Sequence, residues 1–316
     1  METEMHTKLS VATLDEDTPY VKVSIPGEST TAEVLLKKSA AELGIKGSSL
    51  RYVGLFEGLE NPTRKFKDID IVDVNATDLC IQKWCFDIRA EKKLLTKNDE
   101  AALKFLFTQA KADIKNGKLK PTEEQRAKLE ENCDPQFPVP LQYINLCQNL
   151  EDYTSAIIRN CSIHKEFTAK SVSIPEGAQV TIAATRRGLR LELTNKTCFV
   201  SWRKVKSIYT GKCGESNSSW TRAERDMYLM YEMYSVSNNN FTQLHIKTPQ
   251  APYLLAVTLE MIRILQEELD GPPFQTSDVK MEGEEGAIVA WSNVMFTTKR
   301  TALEGQLAEQ YTDLSA

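Results

Sequence analysis

The sequence lacks the usual signatures of catalysis. It holds no paired-carboxylate arrangement, no GxxxxGK[ST] phosphate loop and no GxSxG elbow. It has three histidines, His6, His164 and His245, and none has a Cys or Ser in an obvious pairing. Catalytic triads are spatial, so sequence spacing alone gives no support for one. The seven cysteines, Cys80, Cys85, Cys133, Cys147, Cys161, Cys198 and Cys213, form no CxxC pair. Their odd number and scattered spacing argue against a zinc site and predict free thiols in a reducing compartment. No apolar run approaches the ~18 residues that span a bilayer. The polar start METEMHTK carries no signal-peptide core. These absences predict a non-enzymatic, cytoplasmic chain that needs no metal or other cofactor.

What is present is ordinary in bulk and informative in order. At 316 residues, 41% hydrophobic and 26% charged, the chain suits two or three small domains with cores of their own. Its net charge of −5 argues against a general affinity for nucleic acid. Residues 7–14 and 20–25 alternate apolar and polar, with Leu9, Val11, Val21, Val23 and Ile25 on one side, and read as a hairpin. Thr30 or Thr31 can cap a helix carrying Val34, Leu35 and Leu43, which Gly44 stops. Residues 50–57 and 78–86 then read as strands, so 7–88 follows the ubiquitin-like order. Over 95–163 the period turns helical: 101–114 stops at Asn116-Gly117, Thr122 and Gln125 fit a capping box, and 141–150 and 153–158 read as shorter helices. Few apolar residues per helix predict a lobe that leans on its neighbours.

In 167–270, strand-like runs at 179–183, 188–193, 197–200, 205–209, 226–234 and 241–247 precede a helix over about 249–269. Strands closed by a C-terminal helix are the order of a PH/PTB-type sandwich, which commonly takes an extended peptide along one sheet edge. Residues 212–219 read as a loop. After Asp270-Gly271-Pro272-Pro273, residues 271–316 read as a flexible tail with one apolar island, 287–296. The predicted fold class is therefore α+β and multi-lobed.

Ubiquitin-like, helical and PTB-like lobes in that order resemble a FERM cloverleaf. Particular strings resemble the FERM module of the PX-FERM sorting nexins. In the first lobe these are Tyr52-Val53-Gly54-Leu55-Phe56-Glu57, Arg64-Lys65-Phe66 and Lys83-Trp84-Cys85-Phe86. DEAALKFLFTQAKADIKNG (99–117) is similar to the second lobe. FVSW (199–202), Tyr231-Glu232-Met233-Tyr234 and Lys247-Thr248-Pro249-Gln250-Ala251 are similar to the third. The resemblance implies binding of Asn-Pro-x-Tyr/Phe or Asn-x-x-Tyr/Phe motifs in the cytoplasmic tails of membrane receptors, and receptor sorting on endosomal membranes. Those nexins carry a phosphoinositide-binding PX domain before the FERM module. Only Met1–His6 precede the first expected strand here, so either the chain is a fragment or membrane targeting differs. A FERM scaffold linking membrane proteins to cytoskeletal or small-GTPase partners is the alternative.

The C-terminal helix points to the same site without the family. At about 100° per residue its apolar arc is on the order of 220°, more than the ~100° one buried face needs. The surplus predicts a second contact, either a peptide groove or the helical lobe. Val257, Met261 and Ile264 form one edge of that arc, and methionine adapts to varied ligands. Val205, Ile208 and Tyr209 form the expected strand wall. Some relatives carry a large aromatic where Ile208 stands, so the pocket shape is expected to differ. In the tail, Trp291, Asn293 and Phe296 fit a hydrophobic-x-Asn-x-x-Phe pattern, within 288–296. Residues 288–291 are β-prone and the intervening chain is long enough to fold back. The tail is thus expected either to occupy the groove, in cis or in a swapped dimer, or to pack elsewhere. The basic clusters Lys37-Lys38, Arg64-Lys65-Lys67, Lys92-Lys93 and Arg186-Arg187-Arg190 are candidates for a phosphoinositide surface or a small GTPase, against the plainer reading of solvated charge.

Overall fold

The computed structural model describes residues 6–133, 140–169, 172–212, 227–235, 240–268 and 285–290. In the first lobe β1 (His6–Ala12) and β2 (Tyr20–Pro26) pair as a hairpin, with Leu9 opposite Val23 and Val11 opposite Val21. These side chains are buried, as the alternation predicts. β3 (Ser29–Thr31) leads into α1 (Ala32–Glu42). Thr31 Oγ1 accepts from the Val34 amide, and Gly44 turns the chain at φ 75°. A 3₁₀ turn (Gly47–Tyr52), β4 (Val53–Glu57), β5 (Arg64–Lys65), β6 (Ile71–Asp73) and β7 (Leu79–Lys83) complete the lobe. Its five-stranded sheet runs β2-β1-β7-β4-β5, and β3 pairs with β6.

The second lobe comprises α2 (Ile88–Leu95), α3 (Glu100–Lys115), α4 (Glu123–Glu131) and α5 (Pro140–Cys147). The capping box at Thr122 and Gln125 forms in both directions. This lobe does lean on its neighbour: one hydrophobic cluster runs from Val11 and Leu55 in the first lobe through Leu94 and Leu106 to Ile144 and Tyr153. Two polar contacts reinforce the seam. Asp99 caps α3 through the Ala102 amide and also accepts from Ser49 Oγ (2.6 Å) and the Lys46 amide (3.1 Å). Glu91 meets Lys83 Nζ (3.0 Å), Gln148 Nε2 (2.7 Å) and the Tyr153 hydroxyl (2.6 Å), all away from water.

Residues 153–158, expected as a helix, are not one. The chain turns at Tyr153 and enters β8 (Ala156–Ile163). Ala156, Ile158, Cys161 and Ile163 are buried there, a near-alternating pattern that the short helical reading overlooked. Residues 156–163 therefore join the third lobe's sheet. β9 (Phe167–Ala169) and β10 (Val172–Ile174) make a small hairpin, followed by β11 (Gln179–Thr185), β12 (Gly188–Glu192), β13 (Thr197–Ser201), β14 (Val205–Lys212), β15 (Met227–Ser235) and β16 (Asn240–Lys247). Then come α6 (Ala251–Glu268) and β17 (Glu285–Ala290). The eight-stranded sheet runs β13-β12-β11-β8-β16-β15-β14-β17. Its core, including Trp202, Tyr231, Leu244 and Leu254, lies between the sheet and α6. Most of the expected 212–219 loop lies outside the described residues.

Candidate functional site

β14 is the strand on which a peptide reading depends. One flank pairs antiparallel with β15, Ile208 opposite Tyr231 and Tyr209 opposite Met230. The other flank pairs antiparallel with β17, Ser207 opposite Ala290, Ile208 opposite Val289 and Tyr209 opposite Ala287. The register shifts between Ile208 and Tyr209, so Ile288 is the unmatched residue on β17. A segment of the tail is thus added to the sheet where the lobe's own strands end. The pairing starts at Glu285 and ends at Ala290; the motif residues Trp291, Asn293 and Phe296 lie outside the described residues.

The six expected lining residues come together, but not around an open slot. Val205, Ile208, Val257 and Met261 are 2%, 0%, 0% and 0% exposed, and Ile264 is also buried. All five belong to the lobe's hydrophobic cluster, while Tyr209 is half-buried. The helix edge of Val257, Met261 and Ile264 is core. A glutamate at 261 would place a carboxylate in apolar surroundings and attack the fold itself. Thr258, which the hydrophobic pattern passes over, pins α6 to the sheet through the Tyr231 hydroxyl at 2.9 Å. The outer side of β14 is polar: Ser207 Oγ donates to Glu232 Oε2 (2.6 Å), and Lys206 Nζ lies 3.3 Å from the same oxygen and 4.0 Å from the Phe241 ring centre.

The described apolar residues on both edges of the α6 arc, from Leu255 and Leu265 to Val257 and Met261, pack in or against the lobe's own core, and α6 makes further contacts outside the lobe that periodicity did not foresee. The start of the helix meets the first lobe. Tyr253 donates its amide to the Thr63 carbonyl (3.1 Å), and Gln250 Nε2 donates to the Pro62 carbonyl (2.9 Å). The Tyr253 ring sits edge-on to Phe56, which adjoins Trp84 and then Phe86. At the far end Glu268 pairs with Arg89, 2.7 Å away on α2, and with Arg186. α6 therefore spans all three lobes and fixes the platform that carries β14.

The basic clusters are largely engaged at home. Arg190 pairs with Glu151, Asp152 and Glu192, Arg64 with Asp70, and Lys37 with Glu33. Burial lowers the Lys65 pKa, and its Nζ lies 5.0 Å over the Trp84 ring. Arg187, Lys67, Lys92 and Lys93 remain exposed.

Burial pushes the thiols of Cys80, Cys85 and Cys161 up to about 11 and that of Cys147 to about 12, so they stay protonated and are poor nucleophiles. His164 stacks on Tyr228, and His245 lies beside them. Burial, with Lys165 and His164 nearby, pulls His245 down to about 4. Among the described residues no group of three or more His, Cys, Asp or Glu is placed to hold a metal ion, and no helix is long and apolar enough to cross a membrane.

No protein-family model matches the chain. Solved structures with a similar fold include two of the Dictyostelium discoideum myosin VII MyTH4-FERM MF2 domain. A mutant form matches at a TM-score of 0.52 and 9% identity, over 84% of this chain and 61% of that one. A second structure of the domain matches at 0.51 and 11%, over 82% and 58%. The chain thus spans about three-fifths of the length of the structures it matches. The fold is FERM-like: three lobes in an α+β cloverleaf, as the order of patterns predicted. At these identities the likeness concerns the fold, and it does not single out the sorting-nexin type.

Proposed function

We propose that this chain is a non-enzymatic adaptor whose PTB-like lobe takes an extended peptide by strand addition to β14. The observation that carries this reading is the seating of β17. A separate segment of the chain runs antiparallel along Ser207–Gly211 and adds to the sheet in the manner a ligand strand would. The edge supplies main-chain hydrogen bonds, which give affinity without selecting sequence. Selection then falls to the side chains beside that edge: half-buried Tyr209 on the strand, with Val205, Ile208, Val257, Met261 and Ile264 behind it in the core, reached only where strand and helix part. The ligands proposed are Asn-Pro-x-Tyr/Phe or Asn-x-x-Tyr/Phe motifs in receptor tails, which would make the protein an endosomal sorting adaptor. The tail then acts as a built-in competitor, with Trp291, Asn293 and Phe296 completing its resemblance to a ligand.

The test is calorimetric titration of an Asn-Pro-x-Tyr peptide, and of the same peptide with Asn and Tyr changed to Ala, into the full chain and into residues 1–272. Saturable binding of the intact motif and loss with the double change support the proposal. Absence of binding to both proteins ends it. The likeness to a myosin VII domain favours a second reading, a scaffold joining membrane proteins to cytoskeletal or small-GTPase partners. Pull-down of such partners, alongside failure of every receptor-tail peptide, would favour it.

A further inference from the structure

The eight-stranded sheet has two margins, and β17, added beside β14, forms one. The other is β13, hydrogen-bonded to β12 and to no other described strand. Its five residues, Thr197–Ser201, include no charge and no proline. Cys198 and Val200 point inward and are buried; Thr197 is exposed, and Phe199 is 50% exposed. Edge strands are usually blunted by charge, proline or a covering element. Here the charges that flank the strand along the chain, Lys196, Arg203 and Lys204, share one sign, while Glu192 opposite Thr197 is paired with Arg190.

From Leu193 to Lys212 the sequence contains no acidic residue. Arg203 and Lys204 follow β13 in an exposed 3₁₀ turn (Trp202–Lys204), capped by Ser201 Oγ accepting from the Arg203 amide (3.3 Å). The Trp202 amide donates to the Arg187 carbonyl (3.1 Å), which brings exposed Arg187 to the same corner. Lys196 sits at the opposite end, its Nζ donating to the Ser173 carbonyl. Arg190, opposite Phe199 on β12, is the cation that acids already neutralise.

We propose that β13 is a second strand-accepting edge whose partner is an acidic, extended segment of another protein. The backbone would supply the ladder, Phe199 an apolar contact, and Arg187, Arg203 and Lys204 the charge match. A second copy of the chain fits poorly. Antiparallel pairing of two β13 strands about Phe199 brings Lys196 of one copy toward the Arg203 end of the other, and like charges at close range repel. The proposal does not depend on β14 binding anything.

The probe is a labelled peptide of alternating Glu and Val, titrated into the full chain, with an alternating Lys and Val peptide as control. Expected are saturable binding of the acidic peptide alone and slowed amide exchange within Thr197–Ser201. Phe199→Asp and the pair Arg203→Glu with Lys204→Glu should each weaken binding about tenfold or more. Both changes are at exposed positions, so thermal unfolding should stay unchanged. High salt should weaken binding too. Failure of the acidic peptide to bind overturns the proposal. So does binding without protection of 197–201, since protection at 207–211 would place the peptide on β14. Sedimentation with phosphatidylserine vesicles that Arg203→Glu with Lys204→Glu abolishes, in the absence of peptide binding, would assign the basic corner to a membrane and likewise overturn it.

Discussion

Cutting the chain after residue 272 removes β17 and leaves α6 complete. If β17 competes with ligand, its effect follows from tethering. About sixteen residues, 269–284, link α6 to β17, and a tether of that length gives an effective concentration on the order of 1 mM. β17 pairs with five β14 residues, Ser207 to Gly211. A free peptide making so short a ladder binds with a Kd of roughly 100 μM, or about −5.5 kcal/mol. The ratio leaves β14 occupied by the tail about nine-tenths of the time and weakens an incoming ligand about tenfold. The 1–272 chain should therefore bind an Asn-Pro-x-Tyr peptide about tenfold more tightly, a gain of ~1.4 kcal/mol. Calorimetry on both chains reads this directly. Adding back a peptide of residues 280–296 should compete in trans on the short chain. Equal affinities for the two chains would refute competition by the tail.

Three further predictions rest on burial. Met261→Ala should cost about 2–5 kcal/mol in denaturant unfolding, since Met261 is fully buried; a loss below ~1 kcal/mol would mean the side chain faces open space. Glu91→Ala should cost about 3–5 kcal/mol by leaving buried Lys83 unpaired; pairing it with Lys83→Met should recover much of the loss, and no recovery would put the cost elsewhere. His245 favours its neutral form in the fold, with a pKa of about 4 against 6.5 for a free ring. The unfolded chain then holds the extra proton across that window, so stability should fall as pH drops from 6.5 to 4. Unfolding midpoints measured across that range should flatten in His245→Gln, and an unchanged slope would remove His245 from the account.

Much of the architecture was legible because it is written in local pattern. Alternation at Val21, Val23 and Ile25 gave β2, the Thr122–Gln125 box gave the start of α4, and the run of strands before a helix gave the third lobe. The failure at 153–158 has a local cause. Apolar residues in so short a stretch fit either period, and only pairing with β11 and β16 decides for β8. The wide apolar arc of α6 pointed to a second contact, but its residues pack in the lobe's own core, and the contacts beyond the lobe are made by others. Phe56, Pro62 and Thr63 lie far away in sequence and meet Tyr253 and Gln250 only once the lobes assemble. Likewise, Val257 and Met261 stood out as groove candidates because they are apolar, the same property that places them in a core. The open edge at β13 left no hydrophobic signal beyond Phe199; strand order exposed it.

Amide exchange along β14 bears most directly on strand addition. In the full chain, with β14 occupied about nine-tenths of the time, the amides of Ser207–Gly211 that face β17 should exchange about tenfold more slowly than in the 1–272 chain. They should exchange fast in the 1–272 chain and slow again when an Asn-Pro-x-Tyr peptide is added. Protection that survives truncation, or that the peptide fails to restore, would contradict the account.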